Sequence, residues 1–296
     1  MDIRRAIQQR MLILDGAMGT ELQARGLPPD VSQEEWNAVE PEKVGQVHRD
    51  YIAAGADVVL TNSFGANRIK LDKRGMADRV EEFNRAAAQL ALEAAAGRAF
   101  VLGDIGPLGE LLAPLGRLSR QEAHDAFAQQ AAALAAAGVH GIIVETMMSL
   151  EEAAVAAEAA RAVCRLPVFV SGTFNRGKRG YRTVMGETVA DFVAAALKAG
   201  AEVVGTNCGG GTQDALAIVT EMARCTDGPI LAEPNAGVPE LAQGKTIFKE
   251  DPETWVGGLT QFASMGIRLL GGCCGTTPAH IRRLRELLRE SNPSKQ

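Results

Sequence analysis

Three of the five cysteines are the residues in this sequence most suited to metal chemistry. Cys208 stands before three consecutive glycines, and the adjacent Cys273 and Cys274 have glycine on both sides. Thiolates bind zinc readily, and a catalytic zinc site uses three protein ligands while a fourth position stays open. The trio therefore predicts a three-cysteine metal site. Buried core cysteines and a redox-active disulfide between the two neighbours are the alternatives.

A glycine-punctuated turn near the start of the chain is a second candidate for chemistry. Residues 15–21 read Asp-Gly-Ala-Met-Gly-Thr-Glu, and this segment contains Asp15, Gly16 and Thr20. The first backbone N–H groups of a helix have no intrahelical partner, so a turn that enters a helix can hold the carboxylate of a substrate. Plain helix capping by Asp15 or Thr20 explains the same residues equally well.

Glu145 is a third candidate because it follows the apolar run 141–144. An unpaired carboxylate is costly to bury, so we expect Glu145 to face a cation, either a substrate ammonium group or a Lys or Arg of the chain. Less specific candidates follow other apolar runs: Asn62, Ser63, Asp104 and Asn235. We include Asn62, Ser63 and Asn235 as predicted substrate contacts, although short polar residues at such places commonly cap helices.

One phrase occurs four times and indicates the elements that must position these residues. A glycine ends a helical stretch and an apolar run follows it, at Gly55, Gly138, Gly200 and Gly266. Glycine suits the left-handed cap that ends a helix, and a continuous apolar run suits a strand buried on both faces. The glycines are 83, 62 and 66 residues apart. Because one βα unit needs about 30 residues, another strand is expected in each interval.

Four further apolar runs supply the remaining strands: 12–14, 99–102, 167–170 and 229–232. Helical patterns such as 121–137 and 150–163 lie between them without internal proline. Eight parallel βα units within about 280 residues predict an α/β fold, a single (β/α)8 TIM barrel, with an open doubly wound sheet as the alternative. No composition break marks a second domain, so we predict one domain over 1–296 with a frayed tail at 290–296.

The predicted barrel decides which cysteines can meet. Functional residues of such barrels lie at the C-terminal ends of the strands. Cys208 follows the sixth predicted strand, and Cys273 and Cys274 follow the eighth, where flanking glycines allow both sulfurs to turn inward. Cys164 and Cys225 fall at the opposite end, so we expect them to be core residues. The histidines lie in helices or at the wrong end of a strand, and none is assigned to catalysis: His48, His124, His140 and His280.

Composition and charge exclude several classes of protein. The 296 residues carry 31 Lys and Arg against 36 Asp and Glu, a net charge of −5. No basic patch of the kind that nucleic-acid binding requires is present in the sequence. The first apolar stretch, 11–14, is too short for a signal peptide, and no run reaches about 18 apolar residues. We therefore expect a cytoplasmic protein without nucleic-acid or membrane partners.

Several motifs carry a resemblance to a known family. They are Asp-Gly-Ala-Met-Gly-Thr-Glu-Leu (15–22), Thr-Asn-Ser-Phe-Gly-Ala-Asn (61–67), Gly-Asp-Ile-Gly-Pro-Leu-Gly (103–109), Asn-Cys-Gly (207–209), Glu-Pro-Asn-Ala-Gly (233–237) and Gly-Gly-Cys-Cys-Gly-Thr-Thr-Pro (271–278). Together they resemble the zinc-dependent homocysteine S-methyltransferase family. They are most similar to the N-terminal homocysteine-binding module of cobalamin-dependent methionine synthases. The resemblance extends from about residue 10 to about residue 288.

The resemblance implies a (β/α)8 barrel in which Cys208, Cys273 and Cys274 bind Zn²⁺ and the homocysteine sulfur takes the open position. It also implies that the Asp15 turn and Glu145 hold the amino-acid end of homocysteine, and that Asn235 lies beside the metal as a stand-in ligand when substrate is absent. Zinc coordination deprotonates an incoming thiol at neutral pH. Three cysteine thiolates and one substrate thiolate leave an excess of negative charge, which keeps the sulfur nucleophilic toward a methyl carbon.

The resemblance leaves the methyl donor open. Complete cobalamin-dependent synthases carry folate and corrinoid domains that these 296 residues do not include, and no histidine has the Asp-x-His-x-x-Gly context of a corrinoid loop. We therefore expect a methylated corrinoid protein supplied in trans. S-methylmethionine and betaine are the alternative donors, and their positive charge calls for aromatic side chains or carboxylates. The aromatic candidates are Trp36, Phe64 and Phe174. A homocysteine-binding subunit without independent turnover is a further alternative.

Overall fold

The structure of the protein, a computed structural model, describes residues 2–242 and 245–290. In this part of the chain the strands are β1 (Leu12–Ile13), β2 (Val58–Leu60), β3 (Phe100–Ile105), β4 (Gly141–Met147), β5 (Val168–Gly172), β6 (Asn175–Gly177), β7 (Gly180–Arg182), β8 (Val203–Asn207), β9 (Ile230–Glu233), β10 (Glu240–Ala242), β11 (Lys245–Ile247) and β12 (Leu269–Leu270). The α-helices are α1 (Ile3–Gln9), α2 (Met18–Ala24), α3 (Trp36–Val39), α4 (Pro41–Ala54), α5 (Arg68–Asp72), α6 (Val80–Ala95), α7 (Arg120–Ala136), α8 (Leu150–Val163), α9 (Val189–Lys198), α10 (Thr212–Met222), α11 (Pro252–Leu259) and α12 (Pro278–Glu290).

Eight parallel strands form a barrel, and the predicted fold class is confirmed. The sheet order is β1-β12-β9-β8-β5-β4-β3-β2, so each of these strands neighbours the next one along the chain. A parallel bridge between Leu14 and Val58 joins the first strand of this order to the last and closes the sheet. The open doubly wound sheet, which was the alternative, is therefore not the fold.

The strands are apolar on both faces because both faces are buried. Leu12 and Leu14 pack into an inner cluster with residues of other strands, such as Phe169 and Leu231. Ile13 points the other way and packs in the cluster that the surrounding helices cover. This alternation fills the barrel below its C-terminal end with side chains. Polar side chains therefore concentrate where the strands end.

The helix-ending glycines adopt the predicted left-handed conformation. Gly55, Gly138, Gly200 and Gly266 have φ of 109°, 93°, 96° and 75°. Each of them releases the chain from a helix toward the next barrel strand. The predicted helices at 121–137 and 150–163 are observed as α7 and α8.

Some features differ from the sequence-based expectations. Two short hairpins, β6–β7 and β10–β11, were not predicted, because their three-residue strands lack an apolar alternation. The expectation that Cys225 is a core residue is wrong: it lies exposed in the turn after α10, where its sulfur donates to the Glu221 carbonyl. Cys164 is partly buried against the core.

The last helix continues through Glu290. Residues 291–296 of the predicted tail lie outside the described residues. Among the described helices, none has both the length and the apolar character needed to cross a membrane. The assignment of 1–296 to one domain stays a prediction.

Candidate active site

A cavity of about 290 Å³ lies at the C-terminal ends of the barrel strands. The turn 15–20, Glu145 and the three predicted metal-binding cysteines all line it. The closed barrel brings these residues together because the strand ends that carry them converge on one rim. The predicted sites on four different strands therefore belong to one pocket.

The three cysteines form a compact sulfur cluster. The sulfurs of Cys208, Cys273 and Cys274 lie within 4.8 Å of one another, and the distance between the Cys273 and Cys274 sulfurs is 4.0 Å. A tetrahedral zinc ion with Zn–S bonds of about 2.3 Å requires sulfur separations of about 3.8 Å. All three side chains are free thiols that border the cavity rather than residues sealed in the core. The group could hold a metal ion.

The three cysteine sulfurs form hydrogen bonds with one another. Hydrogen bonds from the thiols of Cys273 and Cys274 lower the pKa of Cys208 to about 3. The same interaction with Cys208 raises the pKa of Cys274 to about 12. Hydrogen bonds from the two neighbouring thiols therefore favour the thiolate form of Cys208. A metal ion that replaces the remaining protons would make all three sulfurs ligands.

Close backbone approach positions the cysteine loop. A Cβ atom on Gly272 would lie 2.4 Å from the Thr276 hydroxyl, so only glycine fits before Cys273. Thr276 donates to the Cys273 carbonyl (2.7 Å) and accepts from the Ala17 N–H (3.2 Å). It thereby ties the cysteine loop to the turn that begins at Asp15. Cys208, with φ of 59°, is held in a left-handed conformation that is strained for a residue with a side chain.

The Asp15 turn does not serve as a helix cap. The cap residue of α2 is Ala17, without a side-chain hydrogen bond, and Thr20 lies inside the helix. The buried Asp15 carboxylate instead accepts from the Leu60 N–H (3.0 Å), which joins β1 to β2. Burial raises the pKa of Asp15 well above its usual range. Gly16 and Thr20 border the cavity together with Asp15.

Glu145 faces the cavity without a cation. Its carboxylate accepts from the Asn207 side-chain amide at 3.3 Å. No lysine or arginine of the described residues forms an ion pair with it. Burial, aided by the neighbouring Cys208 thiolate, raises the pKa of Glu145 to about 8. Of the two cations that the sequence left open, an internal Lys or Arg is thus not observed in the described chain.

Two further carboxylates belong to the same pocket. Asp104 and Glu233 line the cavity beside Asp15 and Glu145, and burial raises the pKa of both well above the usual range. One carboxylate oxygen of each lacks a hydrogen-bond partner within the described structure. The sequence carried the signal for them, because each is an acid at the end of an apolar strand, as Glu145 is. Four carboxyl groups make this cavity suited to a cationic ligand.

The weaker candidates lie in different places. The fully buried Asn62 and Ser63 are behind the wall of the cavity: Asn62 donates to the Gln33 carbonyl (2.8 Å), and Ser63 donates to the Asp104 carbonyl (2.7 Å). Asn235 lies beside the sulfur cluster, where its amide donates to the Gly209 carbonyl (3.2 Å). The Asn235 side-chain oxygen is buried without a partner among the described residues.

The three predicted aromatic candidates also differ in whether they line the cavity. Phe64 lines the cavity. Trp36 and Phe174 are buried and are not among its lining residues, and Phe174 instead packs edge-to-face on Phe192. The pocket therefore relies on carboxylates rather than on an aromatic cage to attract a cation.

The chain matches a known family over nearly its whole length. A family model described as "Homocysteine S-methyltransferase" covers residues 12–288. The chain belongs to the homocysteine S-methyltransferase family. The resemblance inferred from the motifs is confirmed. Methyl transfer to homocysteine is the activity that this family membership supports.

Individual relatives agree with this assignment. The methionine synthase of Mycobacterium tuberculosis is 32% identical over 301 residues, which span 96% of this chain and 25% of that protein. The methionine synthase of Mycobacterium leprae is 29% identical over 98% of this chain and 25% of its own length. The chain thus spans about a quarter of these curated relatives. The metallated form of the Escherichia coli homocysteine methyltransferase MmuM is 27% identical, with a TM-score of 0.79 and coverage of 94% of this chain and 96% of that one.

Proposed function

We propose that the protein transfers a methyl group to the sulfur of homocysteine, giving methionine, with Zn²⁺ held by Cys208, Cys273 and Cys274. The observation that carries the proposal is the cluster of three sulfurs within 4.8 Å of one another in the same cavity as an unpaired glutamate. The soft sulfur donors suit zinc, and their spacing is within about 1 Å of a tetrahedral site. When bound, the ion supplies Lewis acidity that keeps a substrate thiol deprotonated at neutral pH.

The residues of the pocket have distinct roles in this proposal. Glu145 accepts hydrogen bonds from the substrate ammonium group, which supplies the cation that its carboxylate lacks. The turn from Asp15 to Thr20 faces the substrate carboxylate with the start of α2. Asn235 orients the sulfur cluster through its hydrogen bond to the Gly209 carbonyl, next to Cys208. A purely structural metal is less consistent with this site, because structural zinc ions are usually enclosed by four protein ligands and these sulfurs border a cavity.

For the methyl donor we propose a methylated corrinoid protein that acts in trans. One support is the similarity to methionine synthases. The other is that Phe64 is the single aromatic residue among the described lining of the cavity, whereas the small cationic donors call for an aromatic cage. A second candidate donor is S-methylmethionine. Asp104 and Glu233 favour it, since they are acids in the pocket beyond the one that the substrate ammonium group requires. Betaine, another cationic donor, would draw on the same carboxylates.

A donor assay on the purified protein tests the proposal. Zinc-loaded protein and homocysteine are incubated with S-methylmethionine, with betaine or with a methylated corrinoid protein, and methionine is measured. Methionine formed with the corrinoid protein alone supports the first donor, and methionine formed with S-methylmethionine supports the second. Homocysteine binding without methionine from any donor would mean a binding subunit. Cys225→Ser is the matched control, because this exposed thiol lies outside the cavity.

A further inference from the structure

The side chain of Asn207 connects the two halves of the pocket. Asn207 ends β8, directly before Cys208, and is 1% exposed. Its amide nitrogen donates to the Thr146 hydroxyl (2.7 Å) and the Glu145 carboxylate (3.3 Å), and lies 3.9 Å from the Cys273 sulfur. One planar amide thus touches both the carboxylate proposed for the amino end of the substrate and a sulfur proposed to bind the metal.

The orientation of this amide is determined by its other end. The side-chain oxygen of Asn207 accepts from the Thr146 backbone N–H (2.8 Å) and from the Ser171 hydroxyl (2.6 Å). A backbone N–H can only donate, so the oxygen must be the atom that faces the Thr146 backbone N–H. The nitrogen must then face Glu145 and the Thr146 hydroxyl. Rotation of the amide would break bonds at both ends. The group is therefore a rigid spacer rather than an adaptable contact.

The same amide holds the backbone irregularity that aims Glu145. Strand β4 shifts register between Val144 and Met147. Within this shift Thr146 has φ of 59°, a left-handed conformation that costs a non-glycine residue of the order of 1–3 kcal/mol. Such irregularities re-aim the side chains next to them. Because the Thr146 N–H is bound by Asn207, the direction of the Glu145 carboxylate depends on that bond.

We propose that Asn207 is a positioning residue that sets the distance between the metal-binding sulfurs and Glu145, and thereby the preference for homocysteine over the shorter thiol cysteine. This inference rests on the proposed function. Homocysteine and cysteine carry the same thiol, ammonium and carboxylate groups. Homocysteine has one more methylene between the sulfur and the α-carbon. A pocket can reject the shorter thiol when its sulfur site and its ammonium site cannot move toward each other.

Asn207→Asp is the main test, because aspartate has nearly the same shape. It keeps the oxygen that accepts from Thr146 and Ser171, but it removes both N–H donors and places a carboxylate beside Glu145. The distance between the Glu145 carboxylate and the metal-binding sulfurs should then no longer be fixed. Ser171→Ala is a milder variant that removes one bond to the amide and leaves Asn207 in place. Thr206→Val is the matched control: Thr206 is a neighbouring buried residue of β8 whose hydroxyl donates to the Gly172 carbonyl (3.0 Å) instead.

The measurements are zinc content, thermal unfolding, and the affinity of each zinc-loaded variant for homocysteine and for cysteine by calorimetry. The wild type should prefer homocysteine by about 10- to 200-fold, the range for one methylene. Asn207→Asp should weaken homocysteine binding by about tenfold or more, the effect of losing hydrogen bonds to a charged group. Its preference over cysteine should fall by a similar factor, with about one zinc per chain retained. In turnover, KM for homocysteine should rise more than kcat falls.

Other outcomes separate this inference from the proposed function. An unchanged homocysteine-to-cysteine ratio in Asn207→Asp and Ser171→Ala, equal to that of Thr206→Val, would overturn the positioning role. If Asn207→Asp does not fold, the ratio in Ser171→Ala decides. Loss of zinc from Asn207→Asp would also overturn it, because the residue would then be needed for the metal rather than for the spacing. A wild type that binds zinc but neither thiol would instead refute the proposed function.

Discussion

Replacement of Glu145 by glutamine should stabilise the metal-free protein while it weakens homocysteine binding. The wild-type side chain is partly buried, and its carboxylate accepts one hydrogen bond from Asn207, without an ion pair to the described lysines and arginines. Glutamine keeps the size and the accepting oxygen and is neutral without a proton, so it removes the free-energy cost that makes the folded protein bind a proton at Glu145. A carboxylate that served a structural salt bridge would respond in the opposite direction. The two signs therefore distinguish a substrate-facing acid from a structural one.

The size of the stability effect follows from the pKa of Glu145, which burial raises from 4.5 to about 8. Between these pH values the folded protein binds a proton that the unfolded chain has released, so stability falls as the pH rises and levels off above about 8. Each pH unit is worth about 1.4 kcal/mol. Glu145→Gln should remove a penalty of about 3 kcal/mol at pH 7 and of less than about 1 kcal/mol at pH 5.

The binding effect has its own magnitude. Loss of a charge-assisted hydrogen bond to the substrate ammonium group should cost about 1.5–3 kcal/mol, or about 10- to 150-fold in Kd. Urea unfolding of chelator-treated protein at pH 5 and pH 7 measures the stability, and calorimetry with zinc-loaded protein measures the binding. A simple alkyl thiol without an amino group should bind both proteins alike. Asp57→Asn is the matched control and should destabilise, because Asp57 pairs with Arg10 and Arg285.

Two results would refute the reasoning. Equal homocysteine affinity in the wild type and Glu145→Gln would remove Glu145 from the substrate site. A variant that is less stable than the wild type at pH 7, as expected for Asp57→Asn, would make Glu145 a structural residue.

Further predictions concern the metal, the substrate sulfur and the core. Cys273→Ser should lose tight zinc binding, since too few thiolates remain, whereas Cys225→Ser should keep about one zinc per chain; full occupancy in Cys273→Ser by metal analysis would contradict the site. Homocysteine binding to Glu145→Gln at pH 7 should release the thiol proton, counted by calorimetry in buffers of different ionisation enthalpy; the variant is used because wild-type Glu145 would add its own proton to the count. X-ray absorption should show a fourth sulfur at about 2.3 Å, and a site that stays at three sulfurs would mean that the thiol binds elsewhere. His48 is buried with both ring nitrogens unpartnered in the described structure, and burial lowers its pKa to about 4. The protein therefore keeps its full stability with respect to His48 above about pH 6.5 and loses about 2–3 kcal/mol by pH 4.5, so His48→Leu should be less acid-sensitive in urea unfolding; equal losses in both proteins would contradict this.

Local patterns were sufficient to predict the barrel. A glycine that ends a helix and a continuous apolar run are properties of short segments, and Gly55 and Gly138 adopt the left-handed conformation that their places in the sequence predicted. Parallel strands also place all their C-terminal ends on one face. The sequence could therefore predict that Cys208 shares a face with Cys273 and Cys274 while Cys164 lies at the other end.

Depth relative to the surface was harder to predict from these patterns. Cys225 was expected in the core and is exposed, because the turn after α10 lies outside the packed layer. Asn62 and Ser63 come shortly after the end of β2, and Glu233 is the last residue of β9. Asn62 and Ser63 nevertheless lie behind the cavity wall, whereas Glu233 lines the cavity. Which polar residue at a strand end reaches the pocket depends on the stagger of the closed barrel and on the path of each loop.

The contacts that define the chemistry were decided by the tertiary structure. The sulfur cluster, with separations of at most 4.8 Å, joins residues that are distant in sequence, and so do the hydrogen bonds from Asn207 to Glu145 and toward Cys273. The tertiary structure also decides that no lysine or arginine of the described chain pairs with Glu145. Such contacts depend on the closure of the barrel and on the left-handed turns at Thr146 and Cys208. Residue types and their spacing identify which groups can react, because chemistry is local to a side chain. Their mutual distances are a property of the whole fold, because every strand and loop contributes to them.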